Sequence, residues 1–204
     1  MAIHIDNLVL ASSSPRRLEL LRSLNLQVEV IPSRYDEPER PDLLARELAI
    51  VHARHKCEDV RSRIADRLVV AADTVVEVDR QAYNKPRSVA EAKTMLHLLS
   101  GRTHVVHTAF AIALPEQREL VETCESTFVT FFALTQHEID DYVASGEPMD
   151  KAGAYGIQGY GATLVERVDG DFYTVMGFPV ARFVRTMREL GFELPITNKG
   201  STLT

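Results

Sequence analysis

A mixed α/β sheet is the fold class this sequence predicts, and three patterns predict it. Apolar runs alternate with amphipathic segments through the first half of the chain, as in strand–helix–strand units. Two long β-rich runs, Thr103–Leu114 and Leu120–Leu134, then follow one another across a polar turn (PEQRE) and read as an antiparallel pair. Two Ser/Thr-x-x-Glu boxes, Ser88 with Glu91 and Thr135 with Glu138, mark helix starts before and after that pair. Early alternation with later antiparallel pairing argues against a purely doubly wound sheet.

In chain order, an apolar strand within LVLASSSPRR leads into a helix that runs to about Leu24. Ser14 is placed to cap that helix, and Pro15 suits its first turn, where a missing N–H costs nothing. Val28–Ile31 reads as a short strand broken by Pro32, followed by a polar loop (SRYDEPERPD) that holds Asp36 and Glu37. From Asp42 to Val60 the pattern is helical, with Leu44, Leu48 and Val51 near one face. Leu68–Ala72 is an apolar strand ending at Asp73; Val75–Val78 continues into a hairpin through Asp79–Gln81. The helix after Ser88 buries Ala92, Met95, Leu96 and Leu99 and closes at Gly101, and the helix after Thr135 stops at Gly146. A glycine-rich stretch (GEPMDKAGAYGIQGYG) precedes a strand from Thr163 to Val168. Pro179 opens a last helix with Val180, Phe183, Val184, Met187 and Leu190 on its buried side.

The 204 residues are 45% apolar and 25% charged, ordinary globular values that allow a sizeable core. One domain over 1–204 is expected, with a frayed polar tail at 197–204 (TNKGSTLT). A net charge of −6 argues against a general nucleic-acid binder, which needs a basic face, but leaves room for a small anion in a locally basic pocket. No apolar run reaches the roughly 18 residues of a membrane helix, and the N-terminus lacks a signal peptide's basic region. Cys57 and Cys124 form no CxxC, so a reduced, cytoplasmic protein is expected.

Chemistry concentrates in a few places. Free N–H groups at the start of the first helix, with Arg16 and Arg17 beside them, form an anion site built from local sequence. A carboxylate such as Asp73 at a strand end sits beside the crevice where α/β sheets bind ligands. Glu37, Lys85 and Lys56 read singly as solvated charges, as do His52 and His55. Gln158 lies between glycines that let the backbone approach a planar ligand. Tyr155 and Tyr160 flank it, and ordinary packing is expected of at least one. There is no GxSxG elbow and no GKS/GKT, which disfavours a serine hydrolase and a P-loop NTPase.

Taken together, LASSSPRR, ARHKCEDV, AADTVV, NKPRSVAEAKTMLHLLSGRTHVVHTA, SGEPMDKAGAYGIQGYGA and GFPV closely resemble the Maf nucleotide pyrophosphatases. These cleave nucleoside triphosphates to the monophosphate and pyrophosphate. The resemblance spans nearly the whole chain and implies a Maf/ITPase-like fold, an elongated mixed sheet flanked by helices in two lobes around a deep cleft. It implies that Asp73 is the catalytic carboxylate and proton acceptor, with Glu37 and Lys85 as further catalytic groups. Ser12, Arg16, Lys56 and Lys85 would line the triphosphate site, with Glu37 on the opposite wall. Arg16, Thr74 and Gln158 match the positions that select the base in the dTTP/UTP subgroup. A homodimer is implied by the resemblance alone. Cys57 replaces a usual alanine, Phe178 a usual leucine and Ser13 a frequent glycine; the last leaves the loop conformation open.

Cleavage between the α and β phosphates needs an activated water and neutralisation of the leaving pyrophosphate. A divalent cation, Mg²⁺ or Mn²⁺, held by Asp73 and Glu37 can shield the phosphates and lower the pKa of bound water. Whether Asp73 acts as base or chiefly as metal ligand stays open. Uracil and thymine present acceptor, donor, acceptor along O2–N3–O4, an edge that a glutamine amide pairs twice. Two alternatives remain: the same chemistry on other or modified nucleotides, and a nucleotide-binding regulator of cell division.

Overall fold

The computed structural model describes residues 3–64, 66–115 and 119–195. The expected tail at 197–204 and the middle of the PEQRE turn lie outside the described residues. In chain order the strands and helices are β1 (Ile3–His4), β2 (Asn7–Leu10), α1 (Pro15–Arg22), β3 (Gln27–Val30), α2 (Ala45–Arg61), β4 (Val69–Val78) and β5 (Gln81–Tyr83). Then come α3 (Val89–Leu99), β6 (Thr103–Ala113), β7 (Leu120–Phe131), α4 (Gln136–Ala144), β8 (Val165–Asp169), α5 (Phe172–Met176), α6 (Val180–Glu189) and β9 (Phe192–Glu193). Short 3₁₀ turns occupy much of the glycine-rich stretch between α4 and β8.

The expected mixed sheet forms. Its order is β3-β2-β4-β6-β7-β8, with β5 also on β4, and β1 pairs with β9 in a separate parallel ladder. The two β-rich runs pair antiparallel from Thr103↔Thr130 to Ala113↔Leu120. Side chains of successive strand residues point to opposite faces, so the sheet carries helices on both. Val69, Ala71 and Val75 pack with Ala45, Leu48, Ala49 and Ala53 of α2. Val70, Ala72, Phe110 and Ile112 pack with Leu20 and Leu21 of α1 and Phe183 and Met187 of α6. Phe110, Phe178 and Phe183 are fully buried with ring centroids 5.2–5.8 Å apart; burying each contributes about 2–3 kcal/mol. A third cluster sets Leu96 of α3 and Ile139 of α4 against Val76, Val106 and Phe131.

Several local expectations need correction. Leu44, expected in the buried stripe of α2, is its N-cap and lies exposed. The stripe is Ala45, Leu48, Ala49, His52, Ala53, Lys56, Cys57 and Val60, and it puts His52 and Lys56 inside rather than in solvent. Ser14 occupies the N-cap of α1, but its side chain makes no capping bond. The Thr135–Glu138 box is reciprocal, whereas at α3 the Glu91 carboxylate accepts from Arg87 N–H instead of returning to Ser88. β8 begins at Val165, two residues later than expected, because a 3₁₀ turn runs through Leu164. The short α5, capped by Asp171 on Thr174, lacks a sequence length that periodicity can register. Both cysteines are free and buried, and among the described residues no helix is long and apolar enough to cross a membrane.

His104 on β6 is buried against Phe131 and Tyr155, with Nε2 2.7 Å from the Tyr155 hydroxyl and Nδ1 without a partner. Burial pushes its pKa down from 6.5 to about 4. Between those values the unfolded chain binds a proton that the folded state does not. Stability therefore rises with pH across this window and is lost as pH falls through it, by up to about 3 kcal/mol. Urea titrations at about pH 7 and about pH 5 should give the smaller unfolding free energy at the lower pH. His104→Phe should shrink that difference; an unchanged difference excludes His104 as its source.

Candidate active site

β6 lines β4 along nearly its whole length, from Val69↔Ala113 to Glu77↔Val105. Asp73 is therefore in the middle of a continuous ten-residue strand, not at a strand end as expected. What ends is its neighbour. β2 pairs with β4 at Val69 and Val70, Ala11 N–H reaches Val70 O, and β5 takes over the same edge at Val76. The edge between them, at Ala72–Val75, has no strand partner, and a cavity of about 500 Å³ opens there. Ser12–Arg17, Glu37, Lys56, Asp73 with Thr74, Lys85 and Gln158 all line it. The structure thus brings together every site residue expected from sequence.

Lys56 is the hinge of the arrangement. Its Nζ lies 2.6 Å from Asp73 Oδ1 and 2.6 Å from Glu37 Oε1. Lys56 and Asp73 are 7% and 4% exposed, a degree of burial that ions accept only when paired. Burial works to raise the pKa of Glu37, but the Lys56 ammonium, with Lys85 and His52, outweighs it and holds that carboxyl below its ordinary range. Glu37 reaches Lys56 from a loop without regular structure. That loop is fastened to α2 by Asp59, which accepts from Ser33 Oγ and Arg34 N–H, and by a Tyr35–His52 contact of 3.2 Å.

Asp73 Oδ2 is buried with no hydrogen-bond partner among the described residues. A bare carboxylate oxygen on a cavity wall suits a hard cation or a polarised water. Two carboxylates fit Mg²⁺ or Mn²⁺, which take one or two from the protein and complete their shell with phosphate and water. Among the described residues no group of three or more His, Cys, Asp or Glu could hold a metal by itself. The donor set therefore fits a cation shared with a phosphorylated ligand.

The cations on the other wall are held in different ways. Arg16 Nη1 lies 3.3 Å from Asp150 Oδ2, across the cavity mouth. Arg17 donates to Gly177 O, Ser12 Oγ and Thr74 Oγ1 at 2.9, 3.2 and 3.1 Å. Thr108 gives its hydroxyl proton to Thr174 O at 2.7 Å, so Thr74 must donate to Thr108 at 3.0 Å while accepting from Arg17. This one-way chain fixes the Arg17 guanidinium beside Ser12, with Thr74 behind it. Burial lowers the Arg17 pKa, and Asp73 and Glu37 act against that shift; the guanidinium stays charged. Ser12 also accepts from Ser14 N–H at 3.2 Å. Among the described residues Lys85 and Gln158 make no side-chain hydrogen bond or ion pair, and both are exposed at the cavity. Tyr155 packs in the core and Tyr160 against Tyr142, 5.9 Å between centroids.

Lys56→Met would leave Asp73 buried without its cation, a loss of about 3–5 kcal/mol. Lys56→Met with Asp73→Leu should recover most of that loss. Urea denaturation of both variants checks this; equal stabilities would show that the pair is not coupled.

The family model described as Maf-like protein matches residues 7–190. A dTTP/UTP pyrophosphatase of Carboxydothermus hydrogenoformans is 46% identical over 90% of this chain and 98% of its own length. Proteins of the same name from Bacillus cytotoxicus and Bacillus velezensis are each 44% identical, over 89% and 91% of this chain and 94% and 97% of theirs. The chain that folds around the Lys56-bridged carboxylates belongs to the Maf-like protein family.

Proposed function

We propose that this protein, as one domain, hydrolyses dTTP and UTP between the α and β phosphates, releasing the monophosphate and pyrophosphate. The observation that carries the proposal is the buried Lys56–Asp73 pair with Asp73 Oδ2 unpartnered, on the wall of a cavity that also holds Arg16, Arg17 and Lys85. The names of the similar proteins support the choice of substrate.

A water attacks the α phosphorus, the bond from that phosphorus to the α–β bridging oxygen breaks, and pyrophosphate leaves with the bridging oxygen. Asp73 orients this water and accepts its proton. Arg16, Arg17, Lys85 and Ser12 hold the phosphate oxygens, and Lys56 keeps Asp73 and Glu37 in register. Stabilising charge that spreads over the leaving phosphates supplies most of the rate in such transfers. A divalent cation bound by Asp73 and Glu37 would lower the pKa of coordinated water and shield the phosphates. Gln158 pairs with the base, donating to O4 and accepting from N3–H. Thr74 accepts from Arg17 and keeps that guanidinium oriented toward the phosphates. The two buried free thiols accord with a reducing, cytoplasmic setting.

A panel of triphosphates with Mg²⁺ or Mn²⁺ should yield pyrophosphate and monophosphate, fastest from dTTP and UTP. Orthophosphate release contradicts the bond assignment, and binding without products supports a regulator. Asp73→Asn should lower kcat by about a hundredfold or more at saturating metal; wild-type turnover would remove Asp73 from the chemistry. Gln158→Glu should move preference from UTP toward guanine nucleotides, whose N1 and N2 donors suit a carboxylate.

A further inference from the structure

Gln158 carries the selectivity assigned above, yet among the described residues no hydrogen bond or ion pair holds its side chain. Its backbone, by contrast, is pinned after Gln158 to the Glu147 carboxylate and before it to the Tyr142 hydroxyl. Glu147 Oε2 accepts from Tyr160 N–H at 3.1 Å, and Oε1 accepts from Gly161 N–H at 3.2 Å. The buried Tyr142 hydroxyl donates to Glu147 Oε1 at 3.1 Å and accepts from Gly156 N–H at 3.0 Å. The chain thus passes from Gly156 through Gln158 to Gly161 wrapped around a carboxylate–phenol pair. Consecutive backbone N–H groups aimed at one anion form a strong, directional clamp.

The glycines show how close the wrap is. A Cβ at Gly159, whose φ is +66°, would stand 2.9 Å from Glu147 Oε2. One at Gly161 would stand 2.3 Å from Gly156 O and 2.7 Å from the Tyr142 hydroxyl. The loop needs glycine there because the anion and its own backbone fill the space. Below, Lys151 Nζ donates to Glu147 O at 2.5 Å, and its methylenes underlie Gly156.

The geometry points to Glu147 as a positioning residue for base selection: its carboxylate fixes the loop that presents Gln158, so selectivity depends on a residue whose oxygens are already engaged by the loop. This inference rests on the function proposed above. Glu147 also lines the cavity, but its carboxylate is spent on the loop and Tyr142, so its replacement is expected to act on base binding rather than on the chemical step.

Glu147→Gln keeps the shape but turns one acceptor into a donor that faces N–H groups. In steady-state kinetics it should raise KM for UTP about tenfold, change kcat by less than about threefold, and lower the UTP-over-GTP preference in kcat/KM about tenfold. Calorimetric titration with UMP and GMP should show UMP binding weakened to a similar degree and GMP binding unchanged. A folded variant with wild-type preference and wild-type UMP affinity overturns the inference, as does a fall in kcat at constant KM. Should Glu147→Gln fail to fold, Tyr142→Phe, which deletes one hydroxyl of the same clamp, decides instead. A loss of preference of about threefold supports the inference, and an unchanged ratio overturns it. Wild-type protein that hydrolyses no nucleoside triphosphate defeats the function proposed above; the UMP and GMP titrations then still decide the role of Glu147.

Discussion

An ammonium group removed from water must find its countercharge inside the protein, and in this fold Lys56 finds two. Its ion pairs join three separate parts of the chain: the middle of α2, the centre of β4 and the irregular loop that carries Glu37. Desolvating Lys56 and Asp73 is costly on its own, so the loop, the helix and the strand are constrained to meet at this point. The rest of the cavity is arranged around that meeting. The interrupted edge of β4 leaves room beside it, and the start of α1 supplies the opposing cations.

The two halves of the cavity follow different rules. On the side proposed for the phosphates, charged groups hold one another: Arg16 with Asp150, Lys56 with two carboxylates, and Arg17 through a directed line of hydroxyls. On the side proposed for the base, glycines fold closely around Glu147 and leave one amide, Gln158, without a side-chain hydrogen bond among the described residues. Recognition of a triphosphate tolerates small displacements because Coulomb forces change slowly with distance. Recognition of a base edge does not, since hydrogen bonds weaken steeply once misaligned. The stiffer construction stands where alignment matters more.

The elements set by local chemistry were legible in the residues. Ala92, Met95, Leu96 and Leu99 repeat at helical spacing and form the buried face of α3, while alternation and length foretold the β6–β7 pair. Arg16, Arg17, Asp73 and Gln158 stood out from their local patterns, whereas Glu37, Lys56 and Lys85 were picked out only through family resemblance. What escaped depends on partners distant in sequence. Asp73 reads as a strand terminus because polar residues usually stop strands; here β6 continues past it and a salt bridge makes its burial tolerable. His52 and Lys56 read as solvent-facing because charge normally lies outward, although Ala45, Ala49 and Ala53 already traced the true inner stripe. Arg17 and Thr74 are neighbours in space through hydroxyls on β4 and β6, a link no spacing rule registers.

Among the described residues a ladder of only two pairs has the widest span. Ile3 N–H bonds Gly191 O and Ile5 N–H bonds Glu193 O, so β1 and β9 fasten the start of the described chain to its end. Closing so large a ring yields only a few bonds, and the entropy of closure must be met before any of them forms. This seam therefore belongs to the last steps of folding and to the first openings of the native state.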